Sequence, residues 1–245
     1  MFYFDNFFGK KILKSTLLKD YDCFFTTRDF VLTPSNRTDL EELANKNRKF
    51  LKDKLMVANI ISAVQTHSDN IQILNSDCTL YENTDALISN SEEDLFIMNF
   101  ADCVPIILYD KINNIGAIVH AGWRGTAQKI AYKTVSKIVE TYNTKPQNLV
   151  ALIGPSIGQC CFETGEDAFS QLIKKDKHNQ YYKKVGDKYF IDLKQLNKQQ
   201  LLDCGLIEID ICDYCTCCMS DIFFSYRKEK GITARHSAVV KIKRG

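Results

Sequence analysis

No apolar run in the 245-residue sequence approaches the ~18 residues that a membrane-spanning helix needs. That argues against an integral helical membrane protein. There are four prolines, no proline-rich linker, no low-complexity tract and no internal repeat, so nothing marks a domain boundary. Neither sign of charge dominates. The 32 Lys and Arg against 30 Asp and Glu leave +2, and the lysines are scattered, which does not call for a nucleic-acid partner. The basic end 241–245 reads as a solvated terminus. The start, residues 1–8, is aromatic and lacks a basic segment, a long apolar segment and a small-residue cleavage site, so no signal peptide is expected. The ten cysteines then read as reduced thiols of a cytoplasmic protein rather than a disulfide framework. Histidine is scarce too, with four residues at 67, 120, 178 and 236.

What is present suits one large domain over residues 1–245, with 45% hydrophobic and 25% charged residues. Residues 1–35 carry alternating aromatic patches that predict strands. Residues 40–55 predict a helix, with Thr38 and Glu41 or Glu42 as its cap. Strands follow at 60–64, 71–74, 95–98, 106–109 and 115–119, with Asn113-Asn114 as a hairpin turn. Residues 126–142 show helical spacing and 149–153 form an apolar strand. Further helices start near Glu166 and span 193–203, and late strands are expected at 207–211, 223–226 and 238–242. Adjacent hairpins among many strands predict a mixed β-sheet flanked by helices, an α/β (α+β) fold.

Three segments carry chemistry. They are Gln65-Thr66-His67-Ser68, Ala101-Asp102-Cys103-Val104-Pro105 and His120-Ala121-Gly122-Trp123-Arg124-Gly125. His67 and His120 end apolar runs, and Cys103 lies just past another. Two imidazoles and a thiolate make a three-ligand zinc site with an open fourth position, the form of catalytic rather than structural zinc. Asp102 is a candidate to fix the tautomer of a ligand histidine. The glycines after His120 permit positive φ or close approach. Free N–H groups at 126–128 and Arg124 favour an anion there. Trp123 reads equally as a stacking surface for a planar base or as a core residue. Arg227 ends an aromatic run as a substrate contact or a surface ion-pair partner. The run Cys212, Cys215, Cys217, Cys218 has no downstream pair of cysteines or histidines to complete a zinc ribbon, and with Cys160-Cys161 it reads as ordinary thiols.

Together with Thr84-Asp85-Ala86-Leu87, with Gly154-Pro155-Ser156-Ile157 and Cys161-Phe162-Glu163, and with Phe223-Phe224-Ser225-Tyr226-Arg227, these segments resemble the multicopper polyphenol oxidoreductase (laccase-domain) family, associated with purine nucleoside phosphorylase activity. The resemblance runs over residues 45–240. It implies one zinc ion on His67, Cys103 and His120 as catalytic and metal-binding residues. It also implies phosphorolysis of adenosine, inosine, guanosine and methylthioadenosine, and adenosine deamination. Gln65, Asp102, Trp123, Arg124 and Arg227 are the expected substrate contacts. The expected partners are a small purine nucleoside and phosphate, with neither nucleic acid nor membrane, in a monomer or homodimer.

Other functions use the same side chains. Cys103 as a thiolate nucleophile with His120 as base would make an amide hydrolase, and some relatives are linked to editing of a peptidoglycan precursor. A copper-dependent polyphenol oxidase ranks lower, because four histidines do not supply several copper centres. A non-catalytic binding protein ranks last.

Overall fold

Two apolar strands, Val104–Asp110 and Ile115–Ala121, are buried at every residue. They pair antiparallel, with Ile115 opposite Asp110 and His120 opposite Pro105. Asn114 takes a left-handed φ of 51° in the connecting turn, and the Asp110 carboxylate accepts the Ile112 and Asn113 N–H groups. In the computed structural model, which describes residues 1–75, 77–173 and 180–243, these strands form the middle of a six-stranded sheet. His178, Arg244 and Gly245 lie outside the described residues.

The strand order is Glu208–Ile211, Leu149–Ile153, Val104–Asp110, Ile115–Ala121, Ala86–Ser89, Ile71–Ile73. The two outermost pairings are parallel and the inner ones antiparallel, so the sheet is mixed as predicted. A second sheet of five strands is antiparallel throughout, in the order Phe2–Phe7, Lys10–Ser15, Cys23–Thr26, His236–Lys241, Leu95–Phe100.

The period of two along each strand explains why both faces are apolar. Ile107, Tyr109 and Ile118 join Phe25, Met98 and Val240 in a core between the two sheets. Their neighbours Ile106, Leu108 and Val119 face the other way. There they meet Ile130, Val135 and Ile138 of the Ile130–Tyr142 helix and Leu193, Leu196 and Leu201 of the Leu193–Asp203 helix. On the far side of the five-stranded sheet, Phe24, Ile97 and Val239 pack with Leu51 of the Glu41–Leu55 helix. The layers therefore run helix, sheet, sheet, helices. Among the described residues no helix is long and apolar enough to cross a membrane.

Several predicted elements change. The helix expected over 126–142 is broken: Trp123–Ala127 is one short helix, Lys129 is left-handed, and Ile130–Tyr142 is the next. Thr38 does not cap the helix that starts at Glu41, because Thr38–Leu40 forms a 3-10 turn ahead of it. The aromatic run at 223–226 is not a strand. Phe223 and Phe224 are buried from an irregular segment, so their apolarity reflects burial rather than pairing. Ala86–Ser89 and the Tyr182–Val185/Lys188–Ile191 hairpin were not anticipated. The first is a four-residue strand and the second is lysine-rich.

Ile107 is fully buried between the sheets. Ile107→Ala should cost about 2–5 kcal/mol in urea unfolding. Ile112→Ala, at an exposed turn position, should stay within about 0.5 kcal/mol. Equal losses would show that the inter-sheet core is not the main store of stability.

Candidate active site

Asp85 is fully buried at the start of the Ala86–Ser89 strand, next to the end of Ile115–Ala121. One carboxylate oxygen lies 2.7 Å from His120 Nδ1 and also accepts the His67 N–H at 3.1 Å. The other accepts the Ser68 N–H and hydroxyl, both at 2.7 Å, and the Thr66 N–H at 3.2 Å. One side chain thus orients the imidazole of His120 and shapes the loop that carries His67. His67 itself has a left-handed φ of 61°, a conformation uncommon outside glycine and frequent at functional sites.

The carboxylate that orients His120 is therefore Asp85, not Asp102 as the sequence suggested. Asp102 sits at φ 90°, and its oxygens accept the Thr216 hydroxyl at 2.6 Å and the Arg227 backbone N–H at 2.7 Å. It ties the loop before Cys103 to the segment containing Arg227. Gln65 spends its side-chain amide on the backbone of Asn99, donating to the carbonyl and accepting the N–H, each at 2.8 Å.

The donor atoms of His67, Cys103 and His120 all lie within 4.8 Å of one another. With Nδ1 of His120 directed to Asp85, its Nε2 remains as the donor. The set of two imidazoles and one thiol fits an open zinc site. Gly122 belongs here through close approach rather than positive φ, since its φ is −64°. A Cβ at that position would come 2.9 Å from His67 Cδ2 and 3.1 Å from Cys103 Sγ. The amides expected to be free at 126–128 are already used in part. Thr126 N–H donates to the Gly122 carbonyl and Gln128 N–H to that of Arg124.

Electrostatics couple the three groups. Burial raises the Cys103 thiol, but His120 and then His67 outweigh it and bring Cys103 down to about 6. Burial disfavours protonation of His120, yet Cys103 and Asp85 lift it to about 9. Burial likewise opposes ionisation of Asp85, and hydrogen bonds from His120 and Ser68 hold its carboxyl well below the usual range.

A cavity of about 660 Å³ opens over these residues, within the usual size of a small-molecule site. Gln65, His67, Asp102, Cys103, His120, Trp123 and Arg227 all line it. Arg124 is not among its lining residues. It is exposed, with its guanidinium 4.3 Å from the Trp123 ring centroid. Arg227 is anchored by donating to the Cys161 and Glu163 carbonyls, at 2.9 and 3.1 Å. Arg235 also lines the cavity and escaped the sequence reading, because a single arginine before a strand has no signature. Burial lowers its pKa, and one of its guanidinium nitrogens, Nη1, donates to the Thr233 and Ala234 carbonyls. Asp85 was legible only as part of a motif, without a role.

His236 is fully buried, with its ring among Phe100 and Phe223, and does not line the cavity. The reading of 212–218 as thiols without a partner pair needs correction. Cys160 and Cys161 bring their sulfurs to those of Cys215 and Cys218, all within 4.8 Å. The partner pair lies upstream, as adjacent residues.

Two measurements follow from this geometry. In protein stripped of metal, Cys103 should alkylate with a midpoint near pH 6 by peptide mass spectrometry, rather than near ~8.5. The sign follows from the two shifts. The lowered Cys103 pKa contributes stability above its unfolded value and loses it as pH falls through about 6. The raised His120 pKa contributes stability below its unfolded value and loses it as pH rises through about 9. Asp85→Asn should move the alkylation midpoint upward, and an unchanged midpoint would remove Asp85 from the coupling. Separately, when zinc is titrated into metal-free protein as a probe of this donor set, Gly122→Ala should bind it roughly tenfold more weakly than the unaltered chain, with far-ultraviolet circular dichroism intact. Retained affinity would mean that the ligands tolerate the added methyl.

Residues 32–243 match the family described as multi-copper polyphenol oxidoreductase laccase. The chain is 34% identical over 227 residues to a purine nucleoside phosphorylase of Clostridium acetobutylicum, covering 90% of this chain and 93% of the relative. It is 35% identical over 153 residues to adenosine deaminase RL5 from an unknown prokaryote, covering 60% of this chain and 58% of that one. The crystal structure of the hypothetical protein YfiH of Bacillus licheniformis superposes with a TM-score of 0.89 at 26% identity, covering 98% of this chain and 99% of the other. The chain belongs to the multi-copper polyphenol oxidoreductase laccase family.

Proposed function

We propose that this protein is a zinc-dependent purine nucleoside phosphorylase that accepts adenosine, inosine, guanosine and methylthioadenosine and also deaminates adenosine. The observation that carries the reading is the convergence of His67, Cys103 and His120 within a cavity that also has aromatic and cationic walls. The names of the relatives support the same reaction classes.

His67, Cys103 and His120 would hold the zinc ion, with Asp85 fixing the His120 tautomer. When bound, zinc supplies Lewis acidity at the position left open by its three protein ligands. Trp123 and Phe162 offer flat apolar surface for the purine. Arg235 is a partly desolvated cation, and a dianionic phosphate would relieve its burial. Arg227 adds a second positive charge, steadied by the carbonyls that it bonds. In phosphorolysis a phosphate oxygen bonds to the anomeric carbon as the glycosidic C–N bond breaks, and the bond's electron pair leaves with the purine. The arginines act by placing and charge-matching the phosphate. Arg124, outside the cavity lining, acts at most through Trp123.

A second reading is favoured by one specific observation. The mutual shifts of Cys103 and His120, with Asp85 behind the imidazole, also describe an activated cysteine nucleophile of an amide hydrolase. Two imidazoles against one sulfur suit a metal better than a dyad, which needs one base. A copper oxidase is the weakest fit. Among the described residues only two histidines line the cavity, so its His67, Cys103 and His120 set makes one metal site where a multicopper oxidase needs several.

Protein purified without added metal should contain zinc, and Cys103→Ala should lose it from this site while remaining folded. Adenosine with phosphate should give adenine and ribose 1-phosphate by chromatography, and without phosphate should give inosine. Arg235→Ala should raise the KM for phosphate by roughly 10- to 100-fold, the loss of one or two charge-assisted hydrogen bonds. Deamination should fall much less, and Arg124→Ala should change phosphate use less than Arg235→Ala. Equal loss of both reactions in Arg235→Ala would make that residue structural. Metal-free activity abolished by alkylation would favour the hydrolase.

A further inference from the structure

We propose that Cys160, Cys161, Cys215 and Cys218 form a second metal site, a structural zinc centre closed by four thiolates. Their sulfurs lie within 4.8 Å of one another, although the two pairs are separated by about 50 residues of chain. The Cys218 sulfur is 3.7 Å from that of Cys160 and 3.5 Å from that of Cys161. Four sulfurs around zinc at about 2.3 Å stand about 3.8 Å apart along each tetrahedral edge. Disulfide sulfurs stand at about 2.05 Å. The observed separations match the first arrangement.

The backbone is shaped for the same purpose. Cys215 and Cys218 have the C-x2-C spacing of a zinc knuckle. The Cys215 sulfur accepts the Gly158 N–H at 3.1 Å. Such N–H···S bonds disperse the charge of a bound thiolate. Gly158 leaves the room required, since a Cβ there would come 3.2 Å from Cys160 Sγ and from Cys215 Cβ. The remaining cysteines of the run are used elsewhere. Cys212 is buried in the inter-sheet core, and Cys217 packs against the helix-side core. Zinc binding would displace the four thiol protons, and the complex would carry a net charge of −2. Arg227, held on the Cys161 carbonyl, stands next to that charge.

The position explains what the site would do. Ser156 and Cys215 are bridged, and the Thr216 N–H donates to the Ser156 carbonyl. These two loops carry Ile157 and Phe162 of the cavity wall, the carbonyls that anchor Arg227, and the Thr216 hydroxyl that holds Asp102. A zinc ion would staple the loops together beside the cavity without entering it.

The test is metal stoichiometry by inductively coupled plasma mass spectrometry, with each site removed separately so that one reading can fail without the other. The unaltered protein should hold two zinc ions. H67A/C103A and C160S/C218S should each hold one, and the combined variant none. Zinc-edge X-ray absorption of H67A/C103A should show four sulfur neighbours at about 2.3 Å. That measurement does not depend on whether C160S/C218S folds. The proposal is overturned if H67A/C103A contains no zinc and all four thiols titrate freely. It is equally overturned if these cysteines are recovered as disulfides, if the bound metal is iron, or if the zinc that remains has nitrogen or oxygen ligands.

Discussion

The buried carboxylate of Asp85 is the interaction on which the candidate site depends. It has no solvent to satisfy it, and a buried charge without partners costs several kcal/mol. It is satisfied instead by the His120 ring and by three amides and two hydroxyls of the 66–68 loop. That one requirement fixes which nitrogen of His120 is free, and it bends the loop until His67 faces the same point. The His120 backbone N–H also donates to the Asp85 carbonyl, so main chain and side chain enforce one register.

Conformations that cost energy gather around the same point. His67 and Asp102 both hold left-handed φ values, and such residues persist only where their surroundings over-determine them. The surroundings here are the two-sheet core below and the loops tied through Asp102, Thr216 and Arg227 above. Close contact does the rest. Gly122 is the gap through which two donors approach the strand end that supplies the third.

The family description speaks of several coppers, whereas the histidines of this chain are few and divided. Among the described residues two line the cavity, and His236 lies away from it in an apolar ring stack. A histidine so desolvated stays neutral, and burial presses its pKa down to about 3. Among the described residues the cavity therefore presents one N, S, N donor set, with Arg227 and Arg235 also in its lining. A zinc ion held by four thiols, as proposed for Cys160, Cys161, Cys215 and Cys218, would leave no open position, whereas one held by three ligands would.

Local pattern alone carried much of this protein. The strand periodicity around residues 106–109 and 115–119, the helix at 193–203 and the position of His120 near the end of its strand follow from nearest-neighbour chemistry, whereas the strand expected at 60–64 shrinks to Ser62–Ala63 and leaves His67 in a bend beyond it. Where apolarity arose without pairing, as at Phe223 and Phe224, pattern misled. Tertiary structure decided which groups met across the chain. Asp102 is beside Cys103 in sequence, yet a φ of 90° turns it toward Thr216 and Arg227. Asp85 is far from His120 in sequence, yet Ala86–Ser89 pairs with Ile115–Ala121 and delivers the carboxylate to the imidazole. Cys160 and Cys161 meet Cys215 and Cys218, and Arg235 reaches the cavity, for the same reason. Side-chain type is a local property, whereas the partner of a buried charge or thiol is set by which strands and loops pack together.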